Sequence, residues 1–271
     1  MRTSPRPAAT AGRSRPLLVA LLAVLALLAL PGCTAIQRAA ASPGLRPGVD
    51  VPSARQAESS RPLGTPPPAT GEGGYAFMAM HADGSPVTFD PCRQVHVVVN
   101  PVNEPPGARD VLLRVLGELR TATGLQFVID GETTEVMTTV RSAYQPDRYG
   151  DRWAPVLVTW DSPAGNSLLA GDVLGRAGPI PFTGQDADSA RWVTGQAVFN
   201  APAVAAQMEL GRDEDAKAVL LHELGHVVGL AHVTDPFQVM YDTNSYPLSS
   251  YRAGDRRGLE LLGMGRCYDD Y

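Results

Sequence analysis

The sequence lacks several patterns by which catalytic and binding proteins are recognised. It has no internal repeat, no glycine-rich loop suited to cradle a phosphate and no convincing Ser-His-Asp set. These absences disfavour a repeat protein, a phosphate-loop nucleotide-binding protein and a serine hydrolase. Histidine occurs only five times and cysteine three times in 271 residues. Any chemistry that depends on histidine must therefore use very few positions.

Cationic side chains are scarce in the part of the chain that we expect to fold. The whole sequence has 23 basic and 28 acidic side chains, and its first 32 residues contain four arginines and no acid. The remainder therefore carries a net charge of −9. An acidic surface argues against nucleic acid as a partner and against a polybasic membrane-binding face, and it is compatible with bound calcium.

No apolar run is long enough to span a bilayer comfortably. Leu17–Leu30 is an unbroken apolar stretch of 14 residues behind a basic start, which is typical of a signal peptide over residues 1–32. An uncleaved anchor is the alternative. Cys33 follows Leu-Pro-Gly, which resembles the lipobox of bacterial lipoproteins except at Pro31. We expect Cys33 to be acylated, with ordinary cleavage and secretion as the alternative. Either way, the protein is extracytoplasmic.

Residues 33–74 are rich in proline, glycine, serine and alanine, and their few apolar residues show no periodicity. This composition predicts a disordered tether. The folded domain is predicted over residues 75–271. β-branched and apolar periodicity predicts strands at 95–99, 125–129, 156–160 and 191–200, and helices at 108–123, 213–228 and 252–262. This order predicts an α+β fold with a mostly parallel sheet.

One motif accounts for three of the five histidines. His222 and His226 are four residues apart in a predicted helix, so both rings lie on one face and can reach the same Zn²⁺. Glu223 lies beside them and can face an activated water. Gly229 can end the helix in a left-handed conformation, which brings His232 back as a third ligand. Three histidines leave one tetrahedral position open, which is the catalytic pattern of zinc sites.

The stretch from His222 to His232, H-E-L-G-H-V-V-G-L-A-H, resembles the signature of metzincin zinc peptidases, most closely the matrixins. Met240, eight residues later, resembles the methionine of their Met-turn. The resemblance implies a zincin fold, a twisted mostly parallel sheet with an antiparallel edge strand, an active-site helix and a C-terminal helix. It also implies a zinc endopeptidase with Glu223 as general base. We take Val193–Asn200 as the candidate edge strand that holds an extended peptide.

The sequence also departs from the family pattern. Val233, after the third histidine, assigns no subfamily. Only His81 and His96 remain outside the motif, too few for a second histidine-based zinc site, so one zinc per chain is predicted. Within Leu174–Ala177, Arg176 stands where a matrixin histidine ligand would align. Solvated loop acids are the alternative to calcium ligands at Asp172, Asp186 and Asp188.

Cysteine usage and partners complete the predictions. If Cys33 carries lipid, Cys92 and Cys267 remain to form a disulfide in an oxidising compartment. We expect a monomer that acts on protein or peptide substrates and is held at the membrane through Cys33. A catalytically inactive binding lipoprotein on the same fold is the main alternative. A purely structural zinc module, with Asp235 as fourth ligand, is a further one.

Overall fold

A computed structural model of the chain describes residues 48–53, 57–184, 189–243 and 248–270, which fall in one compact unit. The signal segment and Cys33 lie outside the described residues. Among those described, no helix is long and apolar enough to cross a membrane.

A single twisted sheet organises the domain, and its strand order in the described residues is β2-β1-β3-β5-β4. The first four strands in this order run parallel, whereas β4 runs antiparallel to β5 at one edge. This arrangement confirms the predicted fold class. The strands are β1 (Val95–Val99), β2 (Phe127–Glu132), β3 (Val156–Asp161), β4 (Gly175–Phe182) and β5 (Arg191–Asn200).

The helices bury apolar faces against the sheet and against one another. Helix α4 packs against β4 and β5, while α1 packs beside α4 and α5. Helix α1 buries six apolar residues at helical spacing and ends at Gly124, whose φ of 74° is the left-handed conformation that glycine favours. The helices are α1 (Ala108–Thr123), α2 (Pro146–Tyr149), α3 (Ala201–Glu209), α4 (Asp213–Val228) and α5 (Ala253–Gly263), with a 3₁₀ turn at Ser167–Leu169.

The structure corrects the prediction of the edge strand. The candidate Val193–Asn200 belongs to β5, which lies between β3 and β4, and the antiparallel edge strand is β4. Strand β4 reads G-R-A-G-P-I-P-F, and its glycines and prolines obscure the alternation by which strands are recognised. An edge strand tolerates proline because one of its sides forms no ladder hydrogen bonds, so the missing N–H is not needed there.

The described part of the predicted tether contacts the domain. Leu63 donates its N–H to the Pro91 carbonyl, and Ala69 donates its N–H to the Glu260 carboxylate. Gly64 lies so close to Gly124 that a methyl group would meet the Gly124 carbonyl at 2.3 Å. Disorder is therefore a wrong prediction for residues 57–74, because hydrogen bonds and backbone contacts replace the missing apolar side chains. The boundary at residue 75 stays a prediction.

A disulfide joins the start of the domain to its end. Cys92 and Cys267 are bonded with their Cα atoms 5.4 Å apart, which confirms the predicted pair. The buried Asp90 carboxylate accepts the N–H groups of Cys92 and Tyr268, and so holds both sides of the bridge together.

Candidate metal centre and cleft

Helix α4 presents the first two histidines as their spacing predicts. The rings of His222 and His226 lie on one face with centroids 4.8 Å apart. The helix ends at Gly229, whose φ of 116° is accessible mainly to glycine, and Gly229 donates its N–H to the His226 carbonyl. The chain then turns and brings the His232 ring within 5.0 Å of the other two ring centroids.

A short segment preceding the sheet fixes this turn from outside. Met78 donates its N–H to the Gly229 carbonyl, and Ala231 donates its N–H to the Ala76 carbonyl. These two bonds bracket the residues between the helix end and the third histidine. The direction in which His232 points is therefore set by the backbone as well as by Gly229.

The three imidazoles point their Nε2 atoms at one another. The Nε2 atom of His232 lies 3.0 Å from Nε2 of His222 and 3.0 Å from Nε2 of His226. The Nδ1 atoms of the two helix histidines each lie 2.8 Å from a backbone carbonyl, that of Val239 and that of Leu230. A carbonyl only accepts, so both Nδ1 atoms carry the proton and both Nε2 atoms offer a lone pair. Converging lone pairs fit a cation, and this triad can bind a metal.

Burial keeps the helix histidines neutral. It lowers the pKa of His222 below its usual range, and it lowers the pKa of His226 to about 4, with the neighbouring His222 adding to the effect. Neutral imidazole is the form that binds metals. These two rings can therefore bind a cation at neutral pH without first releasing a proton.

Glu223 is a carboxylate buried beside the triad, with only 8% of its surface exposed. Burial raises its pKa to about 8, and the opposing charge of Arg176 reduces this rise. Gly175 of β4 packs against it, and a methyl group there would meet Glu223 Cγ at 2.6 Å. The edge strand and the glutamate are thus in direct contact.

Met240 lies beneath α4, where the Met-turn resemblance places it. It is 1% exposed, and a methyl group on Gly225 would meet its sulfur at 2.6 Å. The buried carboxylate of Asp255 accepts the N–H groups of Val239 and Met240 and so fixes the turn. Val233 donates its N–H to the Met240 carbonyl, which ties the residue after the third histidine to the same turn.

The triad and Glu223 open into a cleft of about 810 Å³. One wall is β4 with the residues before it, and the other includes residues that follow the Met-turn. Asp242 and Leu248, which follow the Met-turn, line the cleft, whereas residues 244–247 lie outside the described residues. Of the calcium candidates, Asp172 lines the cleft and is exposed, and Asp186 and Asp188 lie outside the described residues.

The other candidate ligands are engaged elsewhere. His96 bonds to Asp130 through Nδ1 at 2.7 Å, and the Asp235 carboxylate accepts the Phe237 N–H and a Gln238 amide N–H. Neither belongs to the cluster of ligand atoms formed by the three histidines. The sequence predictions do not include Gly175, Gly225 and Asp255 among the site residues. Gly225 had a signal, a glycine inside a helix, whereas the other two depend on contacts between distant segments.

The stretch that forms most of this site is similar to a known protein family. Residues 166–260 match the family model described as Matrixin, a stretch that contains β4, all three histidines, Met240 and most of α5. Over this stretch the chain is similar to the matrixins. An archaemetzincin from Methanopyrus kandleri, known from a crystal structure at 1.5 Å resolution, is similar over 61% of this chain and 93% of its own, with 16% identity and a TM-score of 0.40. No curated protein matches significantly.

The stretch that is similar to the matrixins therefore contains the histidine triad that can bind a metal. The matched stretch covers the edge strand, the helix with the first two histidines and the Met-turn, which are the elements that meet at the cleft. Strands β1, β2 and β3, helices α1 and α2, and both cysteines of the disulfide lie outside the match.

Proposed function

We propose that this chain is an extracytoplasmic zinc-dependent endopeptidase with one zinc per chain, bound by His222, His226 and His232. The observation that carries the proposal is the convergence of Nε2 lone pairs beside a buried carboxylate in an open cleft. Three neutral imidazoles and a free fourth position are the ligand set of catalytic zinc. When bound there, zinc lowers the pKa of a water molecule and polarises a carbonyl group.

Glu223 carries the proton in the proposed reaction. Its carboxylate accepts the proton of the attacking water and then donates it to the leaving amine. Its raised pKa makes it a stronger base than an exposed glutamate. Its burial against Gly175 holds the carboxylate in one position, and general-base efficiency depends on such positioning. Met240 packs below the triad and takes no part in proton transfer.

The substrate is a protein or peptide held as an extended strand along β4. An edge strand offers unpaired backbone N–H and C=O groups, and peptides add to such edges by main-chain hydrogen bonds. Because β4 contacts Glu223 through Gly175, a strand added to this edge runs past the proton acceptor. The edge that binds substrate is therefore β4, in place of the strand named from the sequence.

The decisive test compares the Glu223→Gln variant with the wild type, both as the full-length protein. We expect the variant to bind one zinc per chain, measured by metal analysis, and to lose cleavage of an unstructured protein such as casein by 10²-fold or more. Glu214→Gln is the matched control, since Glu214 is an exposed glutamate in the first turn of the same helix. Equal cleavage by Glu223→Gln would contradict the mechanism. Zinc binding without any cleavage by the wild type would favour the alternative of a binding lipoprotein.

The location is a separate proposal that rests on the leader sequence. We infer that residues 1–32 direct export and that Cys33 is acylated. Cys33→Ala should then move the protein from the detergent phase to the aqueous phase and remove the mass of the lipid. Identical partitioning of both proteins would contradict the anchor and leave the secreted form.

A further inference from the structure

Arg176 is an exposed cation on the strand that borders the cleft. It follows Gly175, the residue packed against Glu223, and it lines the cleft itself. Within the described residues its guanidinium forms no ion pair and no hydrogen bond. Its neighbour across the sheet on β5 is Val198, which offers no charge. A cation in this position is available to a bound ligand.

The register of β4 decides which groups face the open edge. Asn200 donates its N–H to the Leu174 carbonyl, and Arg176 pairs with Val198 in the same register. Backbone groups alternate in direction along a strand, so the N–H and C=O of Arg176 point to β5. The N–H groups of Gly175 and Ala177 point to the open edge. Pro179, the next residue in this alternation, has no N–H to donate.

Side chains of β4 alternate between the two faces of the sheet. The Gly175 position faces Glu223 on α4, and Gly195, the partner of Pro179, faces Val227 on the same helix. Arg176 therefore projects from the opposite face, beside the two residues whose N–H groups face the open edge. A peptide strand added at this edge places one of its side chains next to Arg176 on that face. In an antiparallel arrangement the two residues form a non-hydrogen-bonded pair, in which side chains lie closest.

We infer that Arg176 is a specificity-determining residue that selects substrates with Asp or Glu at the position next to it, an inference that rests on the proposed function. Opposite charges in cross-strand pairs attract, whereas like charges repel. Among the described residues that line the cleft, the other ionisable groups besides the histidines and a tyrosine are Asp172, Asp242 and Glu223, which are acidic and cannot provide this attraction. The net charge of the mature chain is also negative, so a preference for an acidic residue must come from a local cation.

The test uses matched peptide pairs and the full-length protein. In each pair one position within four residues of the cleaved bond carries either Glu or Gln. The wild type should cleave the Glu peptide with a kcat/KM about 1.5- to 5-fold higher at one position, the range expected for a cross-strand ion pair. Arg176→Gln should abolish this ratio and Arg176→Glu should invert it. The ratio should also decrease in 0.5 M NaCl, because the pair is exposed.

Arg114→Gln is the matched control, because Arg114 is an exposed arginine on α1 away from the cleft. It should leave the Glu-to-Gln ratio unchanged. A ratio that persists in Arg176→Gln, or a wild type that cleaves both peptides of every pair equally, would overturn the inference while leaving the peptidase intact. Failure of the wild type to cleave any peptide or protein would instead overturn the proposed function, and this inference with it.

Discussion

The backbone of Gly175 lies directly against the side chain of Glu223. A methyl group at Gly175 would stand 2.6 Å from Cγ and 2.9 Å from Cδ of the glutamate. This contact joins the strand proposed to hold the substrate to the residue proposed to move the proton. Substrate register and base position therefore depend on the same glycine.

Gly175→Ala should displace the Glu223 carboxylate and lower kcat/KM by tenfold or more, because small misplacements of a catalytic group are costly. Zinc content should stay at the wild-type level, since the histidines are not touched. Gly178→Ala is the control in the same strand, where the added methyl group would meet Met78 at an ordinary 3.8 Å. Equal losses in both variants would show that the strand, and not the contact with Glu223, is responsible.

Asp255 should be essential for the Met-turn. Its carboxylate is 1% exposed and accepts the N–H groups of Val239, Met240 and Arg252. Asp255→Ala leaves these donors without their acceptor and should lower the free energy of unfolding by about 3 kcal/mol or more. Urea unfolding measures the loss, and Asp147→Ala provides an exposed control on α2. A loss below that of the control would contradict this role.

Arg141 should stabilise the fold through a buried network. It donates to both carboxylate oxygens of Glu135 at 2.9 Å, and also to Thr194 and to the carbonyls of Gly195 and Pro155. Arg141→Met leaves Glu135 as an unpaired buried charge and should cost about 3–5 kcal/mol in urea unfolding. The additional change Glu135→Leu should recover part of this loss. No recovery would indicate that the arginine acts mainly through its other bonds.

The same glutamate predicts a pH dependence of stability. Burial acts to raise the pKa of Glu135, but hydrogen bonds from Arg141, Tyr149 and Gln145 outweigh it and leave the pKa below its ordinary value of 4.5. A lowered pKa in the folded state contributes stability above pH 4.5, and this contribution is lost as the pH falls through the folded-state pKa. Glu135→Gln should therefore show a weaker decline in unfolding free energy below pH 4.5 than the wild type. Parallel declines would contradict the prediction.

The disulfide should contribute substantially to stability. It joins residues 175 positions apart, and removal of a native bridge typically costs 2–5 kcal/mol. The double variant Cys92→Ala/Cys267→Ala should melt at a lower temperature than the wild type, and reductant should lower the Tm of the wild type but not that of the double variant. Cys33→Ala is the control, because Cys33 takes no part in the bridge. An unchanged Tm in the double variant would show that the bridge adds little.

Local sequence patterns predicted the elements with strong periodicity. The ranges of α1 and α4 are as predicted, because each has clear start and stop signals, including Gly124 and Gly229. Helix α3 is absent from the sequence prediction, which has only the strand at 191–200 in this region. The structure shows proline in the first turn of the helix, behind Asn200, whose side chain caps it by accepting the Ala203 N–H.

The site residues that lie in one stretch of sequence were predicted. Those that reach the site through contacts between distant segments were not. The three histidines, Glu223 and Met240 lie within 19 residues, and the structure places them together as their spacing indicates. The position of a strand within the sheet is a tertiary property, so the edge strand was assigned wrongly. The contacts of Gly175 and Asp255 are also tertiary, and no local pattern in either stretch indicates them.

The prolines of β4 should increase the solubility of the protein. An open strand edge near the cleft is also a template on which a second copy could build a continuous sheet, the usual beginning of aggregation. Pro179 and Pro181 have no N–H to offer, so a ladder along this edge ends after a few bonds. A short substrate peptide needs only these few hydrogen bonds. The same strand can thus bind a peptide without supporting the long ladder that a second copy of the chain would need to aggregate on it.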